Sequence, residues 1–295
     1  MFRRILLATT LALTVSSALA LDTRPSNANL SAAQIVAKNI QARGGLQAWR
    51  AVQAISFEGK LGAGGNRQPS TPVSLPGSAS KKVLAPQRLS EEAQLPFKML
   101  VRRPRQVRFE LEFKGQTAVQ VFDGEQGWKV RPFLNRNEVE PFTADEQTAA
   151  SLQPDIDGLL INSAAMRTRI ELVGMEKVEG RDTYKLKLTM VSGDTTHIWV
   201  DTQTFLEAKM EGQPRRLDGK MHPVEIYYRD YRQVSGLLIP FVLETRVLPI
   251  ANTTAKVKEL PPPTEKIIIE KVAVNPKLEP SLFSKPRVQT ASYSR

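Results

Sequence analysis

The sequence contains no cysteine, and this absence excludes several classes of protein. Without a thiol there is no disulfide, no thiolate nucleophile and no cysteine-ligated zinc, and a lipid anchor on an N-terminal cysteine is excluded as well. Histidine is almost as scarce, because His197 and His222 are the only two in 295 residues. A metal site built from several histidines is therefore not expected, and we expect neither a metal nor a cofactor.

Motifs of the common enzyme classes are also missing. The sequence has no GxSxG nucleophile elbow, no HExxH zinc motif and no GxxxxGK[ST] phosphate loop. His197 lies in an alternating strand pattern, where a surface position is favoured over a general base, and His222 is interpreted as a loop residue. Asp155 and Asp157 favour a turn or a helix cap over a catalytic or calcium-binding pair. These features predict a protein that is not an enzyme.

The first twenty residues have the features of an export signal. Arg3 and Arg4 precede a mostly apolar stretch from Ile5 to Val15, and Ala18-Leu19-Ala20 satisfies the small-x-small cleavage rule. The stretch is too short to span a bilayer as a mature helix, so an uncleaved anchor is the lesser alternative. Cleavage after Ala20 predicts a periplasmic protein, and a lack of cysteine suits that oxidising compartment.

Basic residues exceed acidic ones, with 41 Lys and Arg against 30 Asp and Glu and a formal net charge of +11. Nucleic acid is not the expected partner, because an exported protein does not meet it. Arg102, Arg103 and Arg105 surround Pro104 in a predicted hairpin and are candidates to bind anionic lipid headgroups or to touch a membrane transiently. Ordinary solvated turn charges are the alternative that the pattern leaves open.

The first element after the signal segment is predicted to be a helix. Ser31 and Gln34 form a capping-box pattern. The positions that follow recur at helical spacing and give this helix one apolar face: Ala33, Val36, Ala37 and Ile40. Gly44-Gly45 supplies residues that end a helix, and a short helical turn carrying Trp49 follows.

In most of the remaining sequence apolar and polar residues alternate with a period of two, which is typical of antiparallel strands with one solvent-exposed face. Val107 to Phe113 and Tyr184 to Met190 show the pattern most clearly, and Asp123-Gly124 and Gly193-Asp194 supply turns. The sequence predicts a meander of roughly eleven strands. The predicted fold class is mainly β with a few helices.

Three stretches interrupt this pattern. Residues 62–94 are rich in Gly, Pro, Ser and Ala and predict a long loop insertion. Residues 143–161 begin with a Thr143-x-x-Glu146 capping pattern and predict a helix. Residues 284–295 are polar and predict a flexible tail. No linker divides the chain, so residues 21–283 are predicted to form a single domain.

Six segments follow one another along the chain: AAQIVAKNIQARGGLQAWRAVQAISFEG, RRPRQVRFELEF, FDGEQGW, VEGRDTYKLKLT, HIWVDTQTFLEAKM and YYRDYRQVSGLLIPFVLET. Their order resembles the LolA/LolB superfamily of periplasmic lipoprotein-sorting carriers. The resemblance covers roughly residues 31–283. Because the sequence has no cysteine, it departs from the lipid-anchored receptor branch of the superfamily.

The resemblance implies an incomplete, strongly curved antiparallel β-barrel that covers helices and encloses an apolar cavity for acyl chains. The alternating pattern agrees with it, because a curved sheet with one apolar face must cover that face with helices or a ligand. The candidate cavity-lining residues are Trp49, Phe109, Leu111, Phe113, Leu186, Leu188 and Met190. Each of them is equally explained as ordinary core.

The function that these observations predict is a non-catalytic periplasmic carrier. It would hold lipoprotein acyl chains or another lipid for transfer towards the outer membrane, and inner- or outer-membrane transfer proteins would be its partners. The first alternative is a regulatory or docking protein of the envelope that binds a membrane-protein partner with the same fold. The second, weaker alternative is an enzyme that acts on an envelope lipid or glycan.

Overall fold

One antiparallel sheet makes up most of the described structure. The computed structural model describes residues 30–63, 93–153, 155–217, 219–250 and 264–287. The predicted signal peptide, most of the predicted loop insertion and the last eight residues of the predicted tail lie outside these ranges. Within them, thirteen strands belong to a single sheet, and four α-helices accompany it.

The helices and strands have the following bounds. The helices are α1 (Ala32–Ala42), α2 (Leu46–Arg50), α3 (Ala144–Leu152) and α4 (Gly158–Ile161). The first six strands are β1 (Ala54–Ala63), β2 (Ala93–Arg102), β3 (Gln106–Phe113), β4 (Gln116–Phe122), β5 (Gly127–Arg131) and β6 (Arg136–Pro141). The other seven are β7 (Arg169–Val178), β8 (Arg181–Thr189), β9 (Thr195–Asp201), β10 (Glu207–Leu217), β11 (Lys220–Val234), β12 (Leu237–Val247) and β13 (Thr264–Val274). Short 3-10 turns occur at Pro132–Leu134 and Pro280–Phe283.

The strand order joins two meanders rather than one. From edge to edge it is β6-β5-β4-β3-β2-β1-β13-β12-β11-β10-β9-β8-β7. The first strand and the last strand therefore pair at the centre of the sheet, where Ile55 lies opposite Val274. The described strands leave β6 and β7 as the two edges, so the sheet does not close on itself. This open antiparallel architecture confirms the predicted fold class.

One face of the sheet, the inner face, carries the main core cluster. Paired residues of antiparallel strands share a face, and Phe57, Met99 and Phe109 form one such row across β1, β2 and β3. Helices α2 and α4 contribute buried side chains to the same cluster. Its buried members are Trp49, Val52, Ile55, Phe97, Ile161, Leu237, Ile239, Phe241 and Ile269.

The opposite, outer face carries a row of alternating charges and aromatic rings. Lys185, Trp199, Lys209, Tyr227 and Glu244 lie in register across β8 to β12. The Nζ atom of Lys209 lies 3.9 Å from the centre of the Trp199 ring, and the Arg246 guanidinium lies 4.0 Å from that of Tyr227. Cations held over aromatic faces in this way add to the stability of a sheet face.

A carboxylate at the β7–β8 turn, which we call the Glu179 clamp, joins this turn to β11 and β12. Glu179 Oε1 accepts hydrogen bonds from Arg229 at 2.7 Å and from Arg246 at 3.1 Å, and Glu179 Oε2 accepts from Arg229 as well. The Arg229 hydrogen bonds outweigh burial and lower the pKa of Glu179 to about 2. The clamp holds the β7–β8 turn over the outer face, where Val178 packs with Tyr227.

The sequence predicted both helix starts correctly but missed some boundaries. The capping boxes at Ser31 and Thr143 each have both of their hydrogen bonds. The helix predicted for residues 143–161 is instead two helices, because α3 ends at Leu152 and α4 is separate from it. None of the helices in the described ranges is long and apolar enough to cross a bilayer.

Two parts of the chain form strands where the sequence predicted none. His222, expected in a loop, lies in β11, where it faces Arg215 of β10. The sequence Arg136–Pro141 forms the edge strand β6, although its mostly exposed residues show no apolar alternation. The missing strand explains part of the difference between roughly eleven predicted strands and thirteen described ones.

Candidate functional site

An open groove of about 670 Å³, which we call the helix groove, lies between α1 and the segment that runs from α4 into β7. One wall is the apolar stripe of α1, formed by Ala33, Val36, Ala37 and Ile40. Ala33 and Ala37 are exposed there, and Val36 and Ile40 are half-buried. The apolar face that the sequence predicted for this helix is therefore only partly covered by protein.

Buried contacts on another side of α1 explain why its apolar stripe faces the groove. Ile35 and Asn39 are fully buried, and the Asn39 side-chain amide donates to the Phe205 carbonyl at 2.8 Å. At about 100° per residue, this pair lies roughly a third of a turn from the stripe. The buried amide fixes the rotation of the helix, because breaking its hydrogen bond would leave a polar group unsatisfied in the core.

The C-terminal end of α1 is held by an ion pair and a close backbone contact. Arg43 bonds Glu207 at 2.8 Å and donates through Nε to the Leu238 carbonyl at 3.0 Å. Tyr231 of β11 donates its hydroxyl to the same Glu207 carboxylate. Burial and the negative charge of Glu207 raise the pKa of Tyr231 well above its usual value, so the hydroxyl keeps its proton. These contacts make α1 a rigid wall of the groove.

The opposite wall of the groove is more polar. It contains Asn162, Ser163 and Thr168, with Ile161 at its base and Ile170 of β7 beside them. The Ser163 hydroxyl donates to the Leu160 carbonyl at 2.7 Å. The buried Thr168 hydroxyl makes no hydrogen bond to any residue that the structure describes. Because this oxygen is inaccessible to solvent, it is a buried unsatisfied group and not a contact for a ligand in the open groove.

Arg103 lies at the rim of the groove and is occupied by protein contacts. Its guanidinium bonds Asp155 at 2.9 Å and Asp157 at close range, and its Nε donates to the Val52 carbonyl at 2.7 Å. Burial opposes ionisation, but the Asp157 hydrogen bond and charge raise the pKa of Arg103 above its usual value. Of the three arginines proposed for headgroups, this one joins α2 to the start of α4. The described residues contain no cluster of three or more possible metal ligands.

The predicted cavity-lining residues lie outside the helix groove, most of them on the sheet. Phe109 and Leu111 are half-buried on the inner face, where Phe109 stacks on Phe97 at 5.9 Å. Trp49 is buried in the same cluster, and its Nε1 donates to the Arg43 carbonyl at 2.9 Å. None of the seven predicted residues lines the helix groove.

The other predicted residues are spread over both halves of the sheet. Leu186 and Leu188 have no exposed surface, and Met190 follows the end of β8 and is half-buried. Phe113 meets the Phe133 ring edge-on at 5.8 Å. Sequence reasoning missed the groove because it assigned no ligand to the α1 stripe, although the helical spacing of that stripe was visible.

The two histidines lie apart from the groove. His197 in β9 is paired through Nδ1 with Glu211 Oε2 at 2.8 Å, and the Nδ1 atom of His222 lies 3.0 Å from the Leu248 carbonyl oxygen. Neither residue lines the groove, and each already contacts a neighbouring strand or chain segment. They supply no general base to this site.

Comparisons with known proteins identify the fold. Neither a protein-family model nor a curated protein matches the sequence. A LolA superfamily protein from Nitrosomonas europaea matches the structure at 13% identity and a TM-score of 0.50, covering 87% of this chain and 99% of that one. A DUF1329 family protein from Desulfovibrio piger matches at 11% identity and a TM-score of 0.52, covering 86% of this chain and 97% of that one. The open antiparallel sheet with its inner helices is therefore a LolA-like fold, as the sequence resemblance predicted.

Proposed function

We propose that the protein is a non-catalytic periplasmic carrier that holds an acyl chain of a lipid or lipoprotein in the helix groove for transfer towards the outer membrane. The observation that carries this proposal is the apolar stripe of α1, which lines an open groove and is only partly covered by protein. An amphipathic helix normally buries its apolar face against protein. Here a ligand would complete that burial.

The size and chemistry of the groove suit a single acyl chain. Its volume of about 670 Å³ lies within the range of roughly 300–1,000 Å³ that is common for small-molecule sites. Each buried methylene contributes about 0.8 kcal/mol, so a chain of a dozen or more methylenes contributes about 10 kcal/mol before the cost of association.

Two further observations support a carrier of the cell envelope. The N-terminal segment has the features of an export signal, and the structure has a LolA-like fold. The half-buried inner-face residues Phe109 and Leu111 share a cluster with Ile40 and Leu46 of the groove, so a longer ligand could extend onto the inner face. The predicted cavity-lining role of Phe109 and Leu111 would then apply to that extension.

A blocking substitution tests the carrier proposal. Ala37→Trp places an indole in the groove from an exposed position, and we expect the affinity for a fluorescent fatty-acid probe to fall at least tenfold. Ala149→Trp makes the same change at an exposed position of α3 and should leave the affinity unchanged. Circular dichroism checks that both variants are folded. Equal probe binding by the two variants would contradict the proposed site.

A second candidate function is favoured by the exposed edge strand β7. Leu172, Val173 and Met175 are 38%, 55% and 56% exposed, and such an edge is a template for pairing with another chain. An envelope docking protein would add a strand of a membrane-protein partner at this edge. Cross-links from β7 to one saturable protein, in a sample that contains no bound lipid and binds no acyl probe, would favour this function over the carrier.

A further inference from the structure

A second pocket of about 630 Å³, which we call the hairpin pocket, lies where the β2–β3 turn meets the β4–β5 turn and the 3-10 turn at Pro280–Phe283. It shares no lining residue with the helix groove. Three cationic side chains, two carboxylates and two aromatic rings line it. They are Arg102, Arg105, Lys285, Asp123, Glu125, Trp128 and Phe283.

Arg102 is held in place without a counter-ion. Its Nε donates to Gln106 Oε1 at 2.7 Å, and its guanidinium carbon lies 4.6 Å from the centre of the Phe283 ring. No carboxylate of the described residues lies within ion-pair distance of it. The terminal nitrogens of Arg102 are therefore positioned but uncommitted, which is the arrangement that favours bidentate recognition of an anion.

The other two cations of the pocket are also free of ion pairs with the described residues. Arg105 is exposed and donates to the Ser151 carbonyl. Lys285 is exposed on the other side. By contrast Arg103, which lies between the two pocket arginines in sequence, is fully engaged with Asp155 and Asp157.

The two carboxylates do not cancel this positive charge. Asp123 Oδ1 accepts from the backbone N–H groups of Glu125 at 2.8 Å and Gln126 at 2.7 Å, so this oxygen is committed to the turn. The Glu125 residue is exposed, and solvent screens its charge. With three cations and two anions the lining has a formal charge of +1.

We infer that the hairpin pocket binds the phosphate group of an anionic phospholipid headgroup and so docks the protein on a membrane surface. Guanidinium donors without counter-ions match phosphate oxygens in geometry and charge. Pro104 is exposed at the tip of the hairpin, and Trp128 is half-buried in the pocket wall, where an indole suits the boundary between water and lipid. This site is separate from the acyl-chain groove and does not depend on it.

Vesicle binding by charge variants tests this inference. The double variant Arg102→Gln, Arg105→Gln should bind phosphatidylglycerol vesicles at least tenfold more weakly than the unaltered protein, because both guanidinium donors to the phosphate are lost. The control Arg216→Gln, Lys220→Gln removes the same charge from exposed positions of another hairpin and should change binding less than twofold. Equal losses of vesicle affinity in the two double variants would show general attraction to a negative surface and would overturn the assignment of this pocket as the binding site.

Two further measurements separate the possible outcomes. Arg105→Gln alone changes an exposed side chain and keeps the Arg102–Phe283 contact, so it should weaken vesicle binding about tenfold even if the double variant is poorly folded. Titration with glycerol phosphate and inorganic phosphate, followed by Trp fluorescence, reports on the anion itself. If the protein binds these soluble anions but not vesicles, the inference that the phosphate belongs to a membrane phospholipid is overturned. Fatty-acid probe affinity should be the same in all these variants, so failure here and failure of the carrier proposal are distinguishable.

Discussion

Replacing Glu179 by glutamine removes the charge of the Glu179 clamp with little change of shape. The pKa of Glu179 is lowered from 4.5 to about 2, which corresponds to about 3 kcal/mol of favourable interaction at neutral pH. The clamp side chains are 31–32% exposed, so solvent screening reduces this figure. We expect Glu179→Gln to lower the free energy of unfolding by about 1–2 kcal/mol at pH 7.

The pH dependence gives this prediction its sharpest test. Because the pKa of Glu179 is lowered in the folded protein, the stabilisation is fully present above pH 4.5 and is lost as the pH falls towards about 2. The difference in unfolding free energy between the unaltered protein and Glu179→Gln should therefore shrink over that interval. Urea denaturation followed by Trp fluorescence at several pH values measures it.

An exposed ion pair supplies the matched control. Glu171 pairs with Arg169 at 2.7 Å, but the two side chains are 43% and 74% exposed, and such pairs contribute little. Glu171→Gln should change stability by less than about 0.5 kcal/mol at any pH. If Glu179→Gln behaves like Glu171→Gln, or if its effect does not diminish in acid, the clamp does not carry the stabilisation that we assign to it.

Three other substitutions have defined outcomes. Gly44→Ala should destabilise the protein by about 2 kcal/mol or more in urea denaturation, because Gly44 has a φ of 111° and a Cβ there would lie 2.4 Å from the Gly236 carbonyl oxygen. A loss of stability below about 0.5 kcal/mol would contradict this close approach. Arg103→Ala should cost about 3 kcal/mol at pH 7, since it leaves the buried Asp157 unpaired, and an unchanged melting temperature would refute the role of this contact. Thr168→Val should raise the stability of the protein by about 1 kcal/mol in urea denaturation, because it removes a buried hydroxyl that has no partner among the described residues; loss of stability would mean that the hydroxyl has a partner.

The alternating strands were predictable because their signal is local. In β3 the apolar residues occupy every second position, and the structure places Phe109 and Leu111 on the inner face as that period requires. Strand β6 lacks this signal, because it is a mostly exposed edge strand. Pairing with β5 decides its structure, and composition alone does not show that pairing.

The candidate site was less predictable because distant contacts determine it. The apolar stripe of α1 is evident from spacing, but its orientation depends on the bond from Asn39 to the Phe205 carbonyl, 166 residues away. The arginines of the β2–β3 hairpin show the same limit. Arg102, Arg103 and Arg105 look equivalent in sequence, yet the fold commits Arg103 to two aspartates, whereas no carboxylate in the described part of the chain pairs with the other two.

The pairing of β1 with β13 has a consequence for how the chain acquires its structure. This pairing is reinforced by the Gln53 backbone N–H, which donates to Asn275 Oδ1 at 2.7 Å, across 222 residues of chain. Contacts so distant in sequence carry a large loop-closure cost and form late. A chain that emerges with its N terminus first can assemble β1 to β6 as one array of neighbouring strands, and then β7 to β12 as another. Only arrival of β13 fuses the two arrays, so a protein truncated before residue 264 should contain two half-sheets with exposed central edges and should aggregate.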